Sequence, residues 1–189
     1  MKIVETTKTK LSLAVAVKDA FAPAEILKGA VALRVNGRHE PARQNRLGYW
    51  LFLDLPDGPY EVQAAGDFYS VQVLDNLGVA DPLRPVLDIR LEPNASYVFP
   101  AGTTLLRGIV KKTGDTALAG VKVAVDGESR QVFTDDQGAF VLYCKNPSGD
   151  QATLKLTLTK EGFQTKKKNF NIPKGTTKVV SIVLSTRDS

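Results

Sequence analysis

The chain has 189 residues, 43% of them hydrophobic and 24% charged. That balance excludes intrinsic disorder, which needs low hydrophobicity with high net charge, and no run approaches the ~18 consecutive apolar residues of a membrane span. The net charge of +5 is uneven: residues 1–100 carry 11 Lys/Arg against 12 Asp/Glu, residues 101–189 carry 14 against 8, so an anionic partner would meet the second half.

Leu11, Leu13, Val15 and Val17 alternate with small or polar residues, the pattern of a strand. Lysines precede this run and Ala20-Phe21-Ala22 mimics a cleavage site, but Glu5 sits in the would-be basic region and Lys18-Asp19 interrupts the apolar stretch. A signal peptide therefore fits poorly. The one cysteine, Cys144, allows no intrachain disulfide, and the two signs together predict a cytoplasmic protein. Residues 19–28 are the only stretch with helical promise, one turn or two, with Pro23 near the start. Strands are predicted over 30–36, 48–55, 59–65, 68–74 and 86–91. In the second half they fall at 104–111, 120–126, 130–134, 138–144, 152–160, 164–172 and 178–184. The punctuation is turn chemistry: Asn36-Gly37, Pro56-Asp57-Gly58, Asp126-Gly127, Asp136-Gln137-Gly138, Pro147-Ser148-Gly149 and Lys174-Gly175. Short strands so spaced predict a sandwich or a barrel. Pro93, Pro100 and Gly102 mark a boundary, giving domains at 1–95 and 104–189 with a linker over 96–103.

The two halves repeat one unit. Gly29-Ala30-Val31-Ala32-Leu33-Arg34-Val35-Asn36-Gly37 answers Gly120-Val121-Lys122-Val123-Ala124-Val125-Asp126-Gly127, and Gly48-Tyr49-Trp50-Leu51-Phe52 answers Gly138-Ala139-Phe140-Val141-Leu142. In the second half, Leu106-Arg107-Gly108-Ile109-Val110, Ala119-Gly120-Val121-Lys122-Val123, Thr134-Asp135-Asp136-Gln137-Gly138-Ala139-Phe140 and Gly162-Phe163 follow one another. This order resembles the carboxypeptidase regulatory-like domain family over about residues 104–185. Residues 8–92 resemble it more distantly, with Asn45-Arg46-Leu47-Gly48 where the family has an acidic Asp-x-x-Gly turn. The resemblance implies an all-β chain of two tandem Ig-like, prealbumin-like (transthyretin-type) β-sandwich domains. It also implies an accessory role, since the family is an appendage whose peptidase residues lie elsewhere in the proteins that carry it. Some members that it resembles are built into larger assemblies, contractile phage-tail-like particles among them.

Residues that could carry chemistry do not form a recognisable set. His39 is the only histidine and sits in a polar loop without a Gly-x-Ser-x-Gly elbow. His39 and Cys144 together fall short of the ligands zinc requires. Cys144 shares parity with Phe140 and Leu142 and reads as a small core hydrophobe. Asp135 and Asp136 read as turn residues before Gly138, and Asp54 and Asp57 flank Pro56. No phosphate-binding loop is present. The expectation is therefore no enzyme, no cofactor and no metal. Asn94-Ala95-Ser96 fits a glycosylation sequon.

Two surfaces remain as candidates. Tyr49, Trp50, Phe52, Phe68 and Tyr69 put large rings on both faces of one region, a composition enriched at interfaces. They predict either burial of both faces within the first domain or a protein partner or assembly contact, with carbohydrate as the alternative ligand. Lys160, Lys166, Lys167 and Lys168 form a basic surface toward an anionic partner. Lysine on an edge strand also deters edge-to-edge pairing, and that reading is favoured over nucleic acid.

Overall fold

A computed structural model describes residues 9–37, 43–77, 85–145, 147 and 149–187. Among these no helix forms, so none is long and apolar enough to cross a membrane. The strands in the first half are β1 (Leu11–Asp19), β2 (Val31–Val35), β3 (Arg43–Gln44), β4 (Tyr49–Leu53), β5 (Tyr60–Gly66), β6 (Tyr69–Leu77) and β7 (Val86–Leu91). Those in the second are β8 (Thr104–Lys112), β9 (Lys122–Val125), β10 (Gln131–Phe133), β11 (Ala139–Cys144), β12 (Gln151–Thr159), β13 (Lys166–Pro173) and β14 (Thr177–Leu184). Contacts divide the chain into two compact units: residues 1–67 with 71–92, and residues 68–70 with 93–189.

In the first unit the sheets run β3-β4-β1-β7 and β2-β5-β6. β1 is central. It pairs antiparallel with β4, Val15 opposite Trp50, and parallel with β7, Val15 opposite Leu87. Alternation sends Leu13 and Val15 inward with Phe52, Ile89 and Leu91, while Leu33, Val35, Val62 and Ala64 are buried on the other sheet. Each large apolar side chain so buried contributes ~1.5–3 kcal/mol. Over 19–28 no helix forms. Asp19 Oδ1 instead accepts the backbone N–H groups of Phe21 (2.7 Å) and Ala22 (3.1 Å), and Glu25 N–H closes a single turn onto Ala22 O. These are the bonds of a helix N-cap, but no helix follows: only the one turn forms before irregular chain resumes.

The second unit repeats the plan, with sheets β11-β8-β14 and β10-β9-β12-β13. β8 pairs antiparallel with β11 and parallel with β14. Leu154, Leu156 and Leu158 enter the core with Leu106, Phe140 and Leu184, and Lys155 on the opposite parity is exposed. Gly108 lies opposite Phe140, and a Cβ there would sit 2.2 Å from the ring. Thr134 is buried and ties the loop before β9 to the end of β10: its Oγ1 accepts Val121 N–H at 2.9 Å and donates to Leu118 O at 2.7 Å.

The expected linker over 96–103 is held to this second unit. Arg107 donates to Ala95 O (2.6 Å) and Tyr97 O (3.2 Å). Tyr97 is 1% exposed, and its ring is the middle of a series: Tyr69 at 5.8 Å, Tyr97 to Phe99 at 4.6 Å, Phe99 to Tyr143 at 5.9 Å. Prolines and a glycine suggested a spacer, but two aromatics spaced i, i+2 pack on a sheet face. The described boundary accordingly falls at Glu92/Pro93.

Candidate functional site

β4 sends Trp50 and Phe52 to one face and Tyr49, Leu51 and Leu53 to the other. Phe52 is buried, because its face is the core face of the sheet, and it presents nothing to a partner. Tyr69 is buried too, edge-on against Tyr97. Both are corrected from contact residues to core residues. Tyr49, Trp50 and Phe68 are half-buried, and Phe68 and Tyr69 group with the second unit while the other three belong to the first. Trp50 Nε1 is buried without a hydrogen-bond partner among the described residues.

The lysines separate as well. β13 is an edge strand. Lys166 Nζ donates to Val183 O on β14 at 2.7 Å, and Lys178 Nζ on β14 donates back to Asn171 O on β13 at 3.0 Å. The two ammonium groups cross the seam between the sheets in opposite directions. Each ends on a carbonyl of an edge strand, where an added strand would otherwise bond. Lys167 and Lys168 are exposed on opposite faces of β13. Lys160 lies elsewhere, at the end of β12, in a groove with Lys122 and Arg187.

The reactive candidates occupy structural positions. Cys144 ends β11, half-buried against the core. Burial pushes its thiol pKa up, and the Arg130 guanidinium only partly offsets this. A nucleophilic cysteine needs the opposite shift. Arg130 is engaged by Glu128 at 2.9 Å, by Tyr143 O, and by the Tyr143 ring 4.9 Å from its guanidinium carbon. Asp54 Oδ1 accepts Lys10 N–H at 2.8 Å and Asp57 pairs with Lys10 Nζ at 3.0 Å, so one lysine holds both acids. Asn94 Oδ1 accepts Ser96 N–H at 2.9 Å, folding the sequon into a turn. His39 lies outside the described residues. Among the described residues no three His, Cys, Asp or Glu side chains gather to hold a metal.

Asp135 is the clearest structural acid. Its Oδ1 accepts the N–H groups of Gln137 and Ala139, both at 2.9 Å, and Gly138 N–H returns to Asp135 O at 2.8 Å. Gly138 has φ +71°, and a Cβ there would lie 2.4 Å from Val110 O. Only glycine meets both conditions. The turn delivers Phe140 onto Gly108.

Residues 106–189 match the family model of the CarboxypepD_reg-like domain. The match starts inside β8 and takes in every later strand of the second unit. No curated protein matches the chain. Among solved structures the chain is similar to GBS52, the minor pilin of Streptococcus agalactiae, with 17% identity over 97% of this chain and 98% of that one, at a TM-score of 0.36. It is similar to the shaft pilin SpaA of Lactobacillus rhamnosus GG, with 11% identity over 97% and 99%, at 0.37. A type II Cohesin-X-Dockerin complex from Acetivibrio cellulolyticus aligns with 19% identity at 0.34, over 45% of this chain and 59% of that one. The chain thus spans less than two thirds of that matched chain.

The second unit also bears a surface that sequence reasoning passed over. On the outer face of β11-β8-β14, Leu105, Val141 and Tyr143 are buried where Phe99 meets Tyr143. Across the same face, Ile109, Val179 and Val183 are exposed, Val179 at 73%. Register sets Val179 beside Arg107, Ser181 beside Ile109 and Val183 beside Lys111. β14 is an edge strand, so these side chains lie at the margin of that face, with Ser181 between Val179 and Val183 and beside Ile109. Its signal was legible: Val179-Val180 and Ile182-Val183 make both parities of one strand apolar.

Proposed function

We propose that this chain is a non-catalytic protein-interaction or structural module, one component of a larger assembly. The observation that carries the reading is the group of Ile109, Val179 and Val183, left exposed on a sheet face whose other half the chain itself covers. Apolar side chains grouped at an open edge mark a surface that a protein partner completes. The positions of Cys144, Asp135 and the Lys10-tied acids support the same reading, since each is accounted for by packing or turn geometry. The carbohydrate alternative draws less support. A sugar platform needs an open ring face, and Tyr49 and Trp50 are half-buried.

The test is co-purification from the source cell with wild type, Val179→Asp and Val183→Asp. Partners retained by the wild type and lost by the two variants support the proposal. An identical retained set in all three, with melting temperatures unchanged, contradicts it. A glycan array that returns specific binding abolished by Trp50→Ala would favour the sugar reading instead.

A further inference from the structure

Three cations from separate stretches of chain converge at one end of the β10-β9-β12-β13 sheet. Lys122 starts β9, Lys160 follows β12, and Arg187 follows β14; with Phe133, Thr159 and Glu161 they line an open groove. The approach of Arg187 is built into the fold. Its N–H donates to Gly162 O at 3.0 Å, Gln164 N–H donates to Ser185 O at 2.9 Å, and Phe163 bridges Thr186. Lys160 is half-buried, its Nζ 3.3 Å from where a Cβ on Gly120 would sit, so the glycine leaves space for the ammonium group.

Among the described residues none of the three cations is paired with a carboxylate; the ion pairs there involve Lys10, Lys18, Lys111 and Arg130. Phe133, on the edge strand β10, is 47% exposed in the same groove, directly opposite Lys122 in the β9 register. Unneutralised like charges held near one another repel, and an aromatic ring left in water forgoes burial. Both costs are relieved by a ligand that brings carboxylates together with an apolar group.

We propose that this groove binds an acidic peptide segment of a partner protein, its carboxylates on Lys122, Lys160 and Arg187 and an apolar side chain on the Phe133 ring. Glu161 selects against a continuous polyanion. A nucleic acid or a sulfated glycan carries negative charge past every position of the groove, whereas a peptide can set a neutral or basic residue beside Glu161. The inference rests on the module reading only in taking the partner to be a protein, and the groove is separate from the Val179 group.

Fluorescence anisotropy with the full chain and a fluorescein-labelled synthetic peptide of repeating Glu-Asp-Phe tests it, with single-stranded DNA and a heparin oligosaccharide as competitors. The wild type binds the peptide, and binding weakens as salt rises. Lys160→Glu and Arg187→Glu each weaken it about tenfold or more, and Phe133→Ser weakens it several-fold. Lys167→Glu makes the same charge change on exposed β13 and leaves binding within about twofold. Equal losses in Lys160→Glu and Lys167→Glu would assign the binding to net charge and overturn the proposal. Tighter binding of DNA or heparin with the same variant dependence would overturn the choice of a peptide. No peptide binding, while partner retention still depends on Val179, removes the groove and leaves the module reading standing.

Discussion

The two sandwiches solve one turn with different residues. Asn45 Oδ1 accepts Leu47 N–H (3.0 Å) and Tyr49 N–H (2.9 Å), and Gly48 N–H returns to Asn45 O at 3.0 Å. Asp135 does the same for Gln137, Ala139 and Gly138. The departure from an acidic turn in the first half is therefore a change of charge without a change of geometry: the turn needs an oxygen acceptor on a short side chain. Beyond the turn the two units diverge. In the second unit the strand leads Phe140 onto Gly108 and the ring is buried; in the first the matching Trp50 faces Val15 and stays half-buried. A glycine in the central strand lets an aromatic sink, and a valine there keeps it up. The hairpins differ too, β3 joining β4 in one unit and β10 joining β9 in the other. The shared plan lies in the central strand, its antiparallel neighbour and its parallel closing strand, and the short hairpin strand is free to change sheets.

Breaking the comparison is most damaging at Tyr97, buried in the second unit between the rings of Tyr69 and Phe99. Tyr97→Ala is expected to cost about 4 kcal/mol, read from urea unfolding. Gly108→Val imitates the first unit and should cost about 3 kcal/mol by driving a side chain into the Phe140 ring; a neutral result would mean the ring has another place to go. The turn glycines sharpen the contrast. Gly138→Ala combines positive φ with the clash at Val110 O and should cost about 3 kcal/mol, whereas a Cβ on Gly48, φ +84°, meets nothing within 4 Å and Gly48→Ala should cost about 1 kcal/mol. Smallest of all, Asp135→Asn and Asn45→Asp should each fall within about 0.5 kcal/mol of wild type, measured by thermal melts. A loss above that in either direction would show that charge matters at the turn.

Where alternation is strict, the strands are legible in the sequence alone. Leu154, Leu156 and Leu158 opposite Lys155 and Thr157 read as a half-buried strand, and Asp135 before Gly138 reads as turn chemistry in preference to a paired-acid site. β3 was not legible because two residues carry no period. The linker expected over 96–103 packs on the second unit: proline and glycine speak for the local backbone, while Tyr97 and Phe99 act through rings that meet Tyr69 and Tyr143 far along the chain. The basic run at Lys166–Lys168 looked like a patch in one dimension. Alternation divides Lys167 from Lys168, a seam carbonyl takes Lys166, and the convergence of Lys122, Lys160 and Arg187 exists only after folding. Candidate surfaces are tertiary facts, and sequence neighbours are a poor guide to them.

Site-specific photo-crosslinking most directly tests whether the β8–β14 face of the second sandwich is the partner surface. A benzoylphenylalanine at Val179 and, separately, at Lys155 on the outer face of the other sheet would be irradiated in the source cell. The account predicts a discrete crosslinked protein from position 179 and none from position 155. Equal crosslinking from both, or a product from 155 alone, would contradict it.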